Sequence, residues 1–158
     1  MRKTLLSLFL LVSVAVAMAE DYTQYVDPRI GSVGLGRTFI GPAMPFGMVK
    51  PGPDCGNMPN AGWAPMPEKV AGFTQTHVSG TGGGQKYGNI LLQPYLDGQQ
   101  LREGVMAQRR IGETIDLRYY SSLYQNHIST EITTAGRCAF YRISYPQPGR
   151  LFIDASWF

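Results

Sequence analysis

Cysteine and histidine are scarce in this chain, with two of each among its 158 residues. Structural zinc sites take their four ligands mostly from these two residue types, so the sequence predicts no zinc site. Cys55 and Cys138 leave two alternatives open. In an oxidising compartment they could form a disulfide worth about 4 kcal/mol in the chain-entropy model. Otherwise Cys138 could be a small core residue of the apolar, strand-like segment that contains it.

A surplus of charge of one sign is also missing. The chain has 14 Lys and Arg residues against 11 Asp and Glu residues, and Arg2 and Lys3 account for two of the basic ones. Residues 1–19 contain no acid, so the remainder carries almost equal numbers of positive and negative side chains. A nearly neutral chain lacks the basic surface needed to bind nucleic-acid phosphates, and the sequence therefore excludes a nucleic-acid partner.

The first 19 residues have the pattern of a cleavable secretion signal. Arg2 and Lys3 precede an uncharged, apolar run at residues 5–17, and Ala17 and Ala19 match the small-residue positions of a signal peptidase site. The run is shorter than the roughly 20 apolar residues of a membrane-spanning helix. We predict that residues 1–19 are removed, that the mature chain begins at Glu20, and that it is periplasmic or secreted with no membrane span.

Long helices are not expected either, because 19 Gly and 11 Pro residues interrupt the chain. The clearest periodicity is a two-residue alternation at residues 128–133 and, after a turn at residues 135–136, at residues 139–145. This pattern predicts an antiparallel hairpin. A strand, a glycine loop and a second strand are predicted over residues 70–92. The sequence thus favours an all-β fold, an antiparallel β-sandwich over residues 20–158 that we interpret as an incomplete domain.

The glycine loop at residues 80–88 does not have the composition of a phosphate-binding loop. Gln85 and Tyr87 flank Lys86 at positions where a P-loop has Gly and Ser or Thr. Three consecutive glycines still permit positive φ values or the close approach of another group. That group could be a sugar or a partner domain, and the alternative is a tight strand connection that binds nothing. The three glycines are Gly82, Gly83 and Gly84.

Two side chains near this loop are candidates for contacting a ligand. His77 follows Thr76 directly before the loop, and it could donate a hydrogen bond to a sugar hydroxyl or fix the loop by bonding to backbone. Trp63 lies in a loop-rich segment at residues 60–65, where an aromatic ring could stack on a pyranose. The alternative for Trp63 is a place in the core, where most aromatic residues of a small β domain lie.

The order of several segments resembles the N-terminal region of family 92 glycoside hydrolases, which are exo-acting α-mannosidases. The resemblance rests on four ordered motifs at residues 26–31, 36–49, 72–82 and 87–91, and residues 129–134 and 141–143 resemble that family's strand pair. It covers nearly all of the chain after residue 19. Trp63 lies where the family more often has Tyr, and residues 55–60 differ from the commonest family pattern, so the preference for one mannose linkage does not follow.

The resemblance implies a two-domain enzyme in which an N-terminal β-sandwich packs on a C-terminal (α/α)6 barrel beyond residue 158. It implies an active site in the cleft between the domains, a Ca²⁺ ion that binds the 2- and 3-hydroxyls of a terminal mannose, and inversion of configuration by a Glu acid and a carboxylate base. The partners are a mannose-containing glycan and the barrel of the same complete chain. The calcium ligands and catalytic groups are expected mainly in the barrel.

Paired carboxylates are not recognisable within this chain. An inverting glycosidase holds its two carboxyl groups roughly 6.5 to 9.5 Å apart. The acids weighed for this role are scattered along the sequence, and no spacing places two of them on one face: Asp27, Asp54, Glu68, Asp97 and Asp154. We therefore predict no catalytic or metal-binding residue here. The candidate substrate-binding residues are Thr76, His77, Gly82, Gly83, Gly84 and Trp63. The alternative function is a carbohydrate-binding β-sandwich without catalysis.

Overall fold

The computed structural model describes residues 20–55, 61–80, 89–101, 105 and 108–157. Its elements in these ranges are a short 3-10 helix at Tyr22–Tyr25 and eight strands. The strands are β1 Gly52–Cys55, β2 Val70–Thr74, β3 Asn89–Leu96, β4 Arg110–Ile115, β5 Tyr119–Tyr124, β6 Ser129–Ala135, β7 Cys138–Ser144 and β8 Gly149–Trp157. None of the helices in the described part of the chain is long and apolar enough to cross a membrane.

The strands form two four-stranded sheets. The first sheet has the order β1-β2-β3-β8 and the second has the order β4-β5-β6-β7, and every neighbouring pair is antiparallel. The second sheet is therefore a simple meander of sequential hairpins. The first sheet closes only when β8 returns to pair with β3, for example through Leu92 and Ile153.

The two sheets face each other across one apolar core. Val70 and Phe73 from the first sheet and Tyr120 and Ile132 from the second belong to the same cluster of buried side chains, each at most 1% exposed. Burial of such side chains is the main favourable contribution to folding. Two stacked antiparallel sheets around a shared core make a β-sandwich, and the predicted all-β sandwich is confirmed.

The predicted hairpin is also confirmed, with its register. β6 pairs with β7 from Ser129 opposite Ser144 to Ala135 opposite Cys138, which leaves a two-residue loop. Gly136 in that loop has φ +58°, a left-handed value that favours glycine. The alternation of the sequence is reproduced, because Thr130 and Ile132 are buried whereas Phe140 is 55% exposed.

The first third of the chain is mostly irregular, as its Gly and Pro content predicts. β1 lies at the edge of the first sheet and contains Pro53, which is tolerated at an edge because proline cannot donate a ladder hydrogen bond. The predicted strand, loop and strand correspond to β2 and β3, which are antiparallel neighbours. Gly82, Gly83 and Gly84 lie outside the described residues, as do residues 1–19 with the predicted cleavage at Ala19.

The interpretation of Cys138 as a core residue is wrong. Cys138 begins β7 beside the hairpin turn and is exposed, because the apolar alternation of β7 places Ala139 and Tyr141 toward the interior instead. Cys55 is buried in β1, and both cysteines are free thiols. Burial raises the pKa of the Cys55 thiol to about 11, so this side chain stays protonated and inert at neutral pH.

Candidate functional site

His77 lies just beyond the end of β2, where the chain leaves the first sheet toward the glycine loop. Its side chain is 2% exposed. Nδ1 is 2.8 Å from the carbonyl oxygen of Lys50, and Nε2 is 3.2 Å from Oγ1 of Thr74 and 3.3 Å from Oδ1 of Asp54. One imidazole thus joins the segment before β1, β1 itself and β2. We call His77, Asp54, Thr74, Trp157 and the Lys50 carbonyl the His77 cluster.

The hydrogen-bond partners of His77 occupy both of its ring nitrogens. A carbonyl oxygen can only accept, so Nδ1 carries a hydrogen and donates it to Lys50. Nε2 lies within hydrogen-bond distance of the Thr74 hydroxyl and of the Asp54 carboxylate. Because each polar atom of the ring has a partner inside the protein, the free-energy cost of burying the ring is lowered.

Neighbouring residues enclose the imidazole on several sides. The Phe39 ring stacks on it with a centroid distance of 5.2 Å and an interplanar angle of 21°. Gly62 approaches so closely that a Cβ at this position would lie 2.4 Å from Nε2 of His77. Gly62 also has φ +75° and accepts a hydrogen bond from the Cys55 backbone N–H. Position 62 must therefore be glycine for this segment to pack on His77.

Asp54 connects this cluster to the last strand. Its Oδ2 accepts a hydrogen bond from the Trp157 indole N–H at 3.0 Å, a contact across 103 residues of sequence. The Asp54 side chain is 2% exposed, and its Oδ1 lies 3.3 Å from Nε2 of His77. Both carboxylate oxygens of Asp54 are engaged, as buried polar groups require.

The sequence-predicted residues His77 and Thr76 are thus brought to one place, at the base of the glycine loop. Both ring nitrogens of His77 contact protein atoms, which fits the loop-fixing alternative. Thr76 is half-buried, and its hydroxyl accepts a hydrogen bond from Asn89 Nδ2 at 3.4 Å, so it links the two ends of the loop. A role of either residue in binding substrate stays a prediction.

Trp63 lies elsewhere, between β1 and β2 and against the second sheet. It is 5% exposed, and its indole N–H donates to Oε1 of Glu113 in β4 at 3.1 Å. The Arg110 guanidinium lies over its ring with its central carbon 6.0 Å from the ring centroid. Stacking of a sugar on the ring face would require this packing to open, so sugar stacking by Trp63 stays a prediction as well.

Glu113 and Arg110 are functional candidates that the sequence did not reveal. Three donors converge on Oε1 of Glu113: Trp63, Arg110 at 2.5 Å and the Tyr120 hydroxyl at 2.6 Å. Burial raises the pKa of Tyr120 well above its usual value, so its hydroxyl keeps the proton that it donates. Arg110 also binds the backbone oxygens of Ala64 and Glu68 and so holds the segment around Trp63 in place.

Burial opposes the positive charge of Arg110, but its neighbours outweigh this effect. The oxygens of Tyr120 and Glu113 and the sulfur of Cys55 raise the pKa of the guanidinium above its usual value. Arg110 and Glu113 are therefore a buried ion pair, with side chains 0% and 8% exposed. Removal of one partner from such a pair leaves an uncompensated buried charge, which destabilises strongly.

A metal ion has no evident ligand set in the described ranges, which contain no group of three His, Cys, Asp or Glu residues close enough to hold one. The Ca²⁺ site that the resemblance implies, with its ligands mainly in the barrel, stays a prediction. Calcium can be considered only for the complete protein, and no step of chemistry is assigned to it on these residues.

Comparison with known proteins identifies the relatives of this sandwich. One curated relative is an uncharacterized secreted glycosidase of Arthroderma benhamiae, 31% identical over 153 residues that cover 90% of this chain and 20% of the relative. A solved family GH92 alpha-mannosidase of Bacteroides thetaiotaomicron, in complex with mannoimidazole, aligns with a TM-score of 0.71 and 27% identity. The alignment covers 85% of this chain and 19% of that one. The chain thus spans about a fifth of the length of these relatives.

The family model of the glycosyl hydrolase family 92 N-terminal domain matches residues 25–156. This range contains all eight strands except Trp157 at the end of β8, the rest of the His77 cluster, and the Trp63–Glu113 contact. The chain belongs to glycosyl hydrolase family 92, whose N-terminal β-sandwich domain it contains.

Proposed function

We propose that the complete protein containing this chain is an exported, Ca²⁺-dependent, inverting exo-α-mannosidase that removes terminal mannose from glycans. The observation that carries the proposal is the structural match of 85% of the chain to an alpha-mannosidase of the same family, at a TM-score of 0.71. The signal-like N-terminus and the relative described as a secreted glycosidase support export.

Within that enzyme the chain would supply the domain that packs on the catalytic (α/α)6 barrel. The glycine loop, with Gly82, Gly83 and Gly84, would project toward the barrel and help to close the mannose pocket. His77 supports this role of the loop, because its contacts with Lys50 and Asp54 hold the start of the loop against the first sheet. Loops that a rigid scaffold positions commonly carry binding functions in enzymes.

The test is turnover by the complete protein. We expect hydrolysis of an aryl α-mannoside in the presence of Ca²⁺, loss of activity after chelation, and recovery when Ca²⁺ is restored. NMR of the sugar released in the first minutes should show the β-anomer, as inversion requires. Retention of the α-anomer would contradict the inverting mechanism. Turnover unaffected by chelation would contradict the calcium requirement, and no turnover of any α-mannoside would contradict the proposed activity.

A non-catalytic carbohydrate-binding module is the second candidate. The two candidates differ in one measurement. A binding module would show affinity for mannose-containing glycans without releasing mannose from them, whether or not Ca²⁺ is present.

A further inference from the structure

Glu113 has an oxygen that the fold does not use. All three of its donors bind Oε1, and Oε2 receives no hydrogen bond from any residue that the structure describes. The Glu113 side chain is only 8% exposed. This oxygen does not belong to the fully buried polar atoms that lack a partner, so it is open to solvent and can accept a hydrogen bond from water or from a ligand. Glu113 therefore marks a place where a hydrogen-bond donor from outside the chain would be favourable.

This carboxylate lies in the wall of an open cavity of about 540 Å³, which we call the Glu113 pocket. Small-molecule sites commonly have about 300–1,000 Å³ and combine apolar walls with a few polar groups. Here Ile115, Pro65 and Met66 provide apolar surface, and Arg29, Thr114 and Glu113 provide polar groups. The lining residues are Arg29, Trp63, Pro65, Met66, Glu113, Thr114 and Ile115.

The charges of the pocket are already paired within the protein. Glu113 is neutralised by Arg110, and Arg29 binds both oxygens of Asp27 through Nε and Nη2 at 2.9 and 3.1 Å. The hydrogen bond to Asp27 raises the pKa of Arg29, so its guanidinium stays charged. An uncharged ligand suits a wall without surplus charge, since a charged ligand would enter without a counter-ion.

The remaining hydrogen-bonding capacity suits hydroxyl groups. Oε2 of Glu113 can accept from a hydroxyl, and Nη1 of Arg29 and the Thr114 hydroxyl can donate to one. A sugar presents hydroxyls that both donate and accept around its edge and an apolar C–H face, which the Pro65 and Met66 surface can cover. We propose that the Glu113 pocket is a binding site for an uncharged sugar residue, with Glu113 and Arg29 as its hydroxyl-binding side chains.

The choice of mannose as the first sugar rests on the proposed function. The argument that the pocket suits an uncharged sugar does not rest on it. The test uses the complete protein and titrates it with methyl α-mannoside and methyl α-glucoside by calorimetry, with mannoimidazole present to occupy a mannosidase active site. A guanidinium compound, agmatine, serves as the cationic probe. We expect binding of at least one sugar at the millimolar level and no binding of agmatine.

Glu113→Gln is the decisive variant. The amide can keep its oxygen toward Trp63, Arg110 and Tyr120 and turn its NH₂ into the pocket, so the free position changes from acceptor to donor. We expect sugar affinity to fall by about tenfold or more, the usual effect of losing a hydrogen bond to a charged group. Glu131→Gln, on the half-buried β6 carboxylate, is the matched control and should leave affinity unchanged.

A second variant keeps the test valid if Glu113→Gln does not fold. Arg29 is 64% exposed, so Arg29→Gln should leave the thermal melt unchanged and lower sugar affinity about fivefold. The proposal is overturned if neither sugar binds the wild type, if agmatine binds instead, or if folded Glu113→Gln and Arg29→Gln both bind sugar like the wild type. Aryl mannoside turnover is measured on the same samples and tests the proposed activity separately. A loss of sugar binding in Glu113→Gln would support the pocket even if the protein showed no turnover.

Discussion

The His77 cluster and the Glu113 pocket each bury a carboxylate beside a basic side chain, but they use its oxygens differently. Asp54 has a partner on each oxygen, His77 on Oδ1 and Trp157 on Oδ2. Glu113 gathers three donors on Oε1 and leaves Oε2 toward a cavity. A saturated buried carboxylate contributes to the fold, whereas an unsaturated one is available to a ligand. The comparison therefore separates a structural site from a candidate binding site within one domain.

The largest effect is expected from Gly62→Ala, which would disrupt the packing around the His77 cluster. Its Cβ would lie 2.4 Å from His77 Nε2 and 2.5 Å from the Pro53 carbonyl oxygen, at φ +75°. Overpacking and backbone strain together should lower the free energy of unfolding by about 4 kcal/mol or prevent folding. Thermal and denaturant unfolding of the complete protein measure this.

Gly98→Ala is the matched control for that substitution. Gly98 also has a positive φ, +89°, but a Cβ there meets no atom within 4 Å. Backbone strain alone should destabilise by about 1 kcal/mol. Equal losses for the two variants would show that contact with His77 is not what makes Gly62 necessary.

His77→Ala should have the next largest effect, a loss of about 3 kcal/mol, because it leaves Asp54 buried without its His77 partner. His127→Asn, at an exposed histidine whose φ of +63° asparagine also adopts, should change stability by less than about 0.5 kcal/mol. In the complete enzyme, catalytic efficiency per folded molecule should fall as well, because His77 holds the start of the loop that is proposed to close the mannose pocket. Retained efficiency would contradict that role of the loop. A variant that melts like the wild type but turns over poorly would instead support direct contact of His77 with a sugar.

Trp63→Phe tests the hydrogen bonds to Glu113 and should lower the free energy of unfolding by about 1 kcal/mol. The substitution keeps an aromatic ring beneath Arg110 but removes one of the three donors to Glu113 Oε1. Two donors remain, so the carboxylate keeps its position and sugar affinity should not change. Sugar affinity that falls together with stability would show that the indole itself contacts the ligand. Chemical denaturation and sugar titration of the same sample distinguish these results.

The smallest effect concerns Glu131 on β6, whose side chain is 26% exposed. Hydrogen bonds from Arg142 and Tyr119 lower its pKa from 4.5 to about 2. A depressed folded-state pKa contributes stability above the unfolded value near 4.5, and this is lost as pH falls from about 5 to 2. As a surface pair it should contribute under about 1 kcal/mol. Melting curves of wild type and Glu131→Gln should differ at pH 7 and converge near pH 2, and a constant difference would contradict this assignment.

The β6–β7 hairpin could be predicted from sequence because its signal is local. Alternation between buried Thr130 and Ile132 and exposed neighbours is visible within a few residues, and Gly136 marks the turn. β4 and β5 were not predicted, since Tyr119–Tyr124 interleaves buried tyrosines with serines rather than with charged residues. Residue type alone distinguishes buried from exposed positions poorly when both are polar.

The partners in the two sites could not be predicted because sequence distance hides them. His77 meets Asp54 across 23 residues, and Trp63 meets Glu113 across 50. The first contact depends on the antiparallel register of β1 and β2, including its irregularity between Asp54 and Cys55. The second depends on how a loop between the strands of one sheet reaches the other sheet. Neither the register of these strands nor the path of this loop can be derived from composition or periodicity.

The pairing of β3 with β8 has a consequence for the order of events as the chain is made. β3 and β8 are separated by the whole of β4 to β7, whose pairings join only strands that are neighbours in sequence. The β3–β8 pairing, and the Asp54–Trp157 bond with it, must wait until residue 157 is available. Contacts of such long separation slow folding. Until then β3 keeps one edge unpaired, and an unpaired strand edge can pair with another chain.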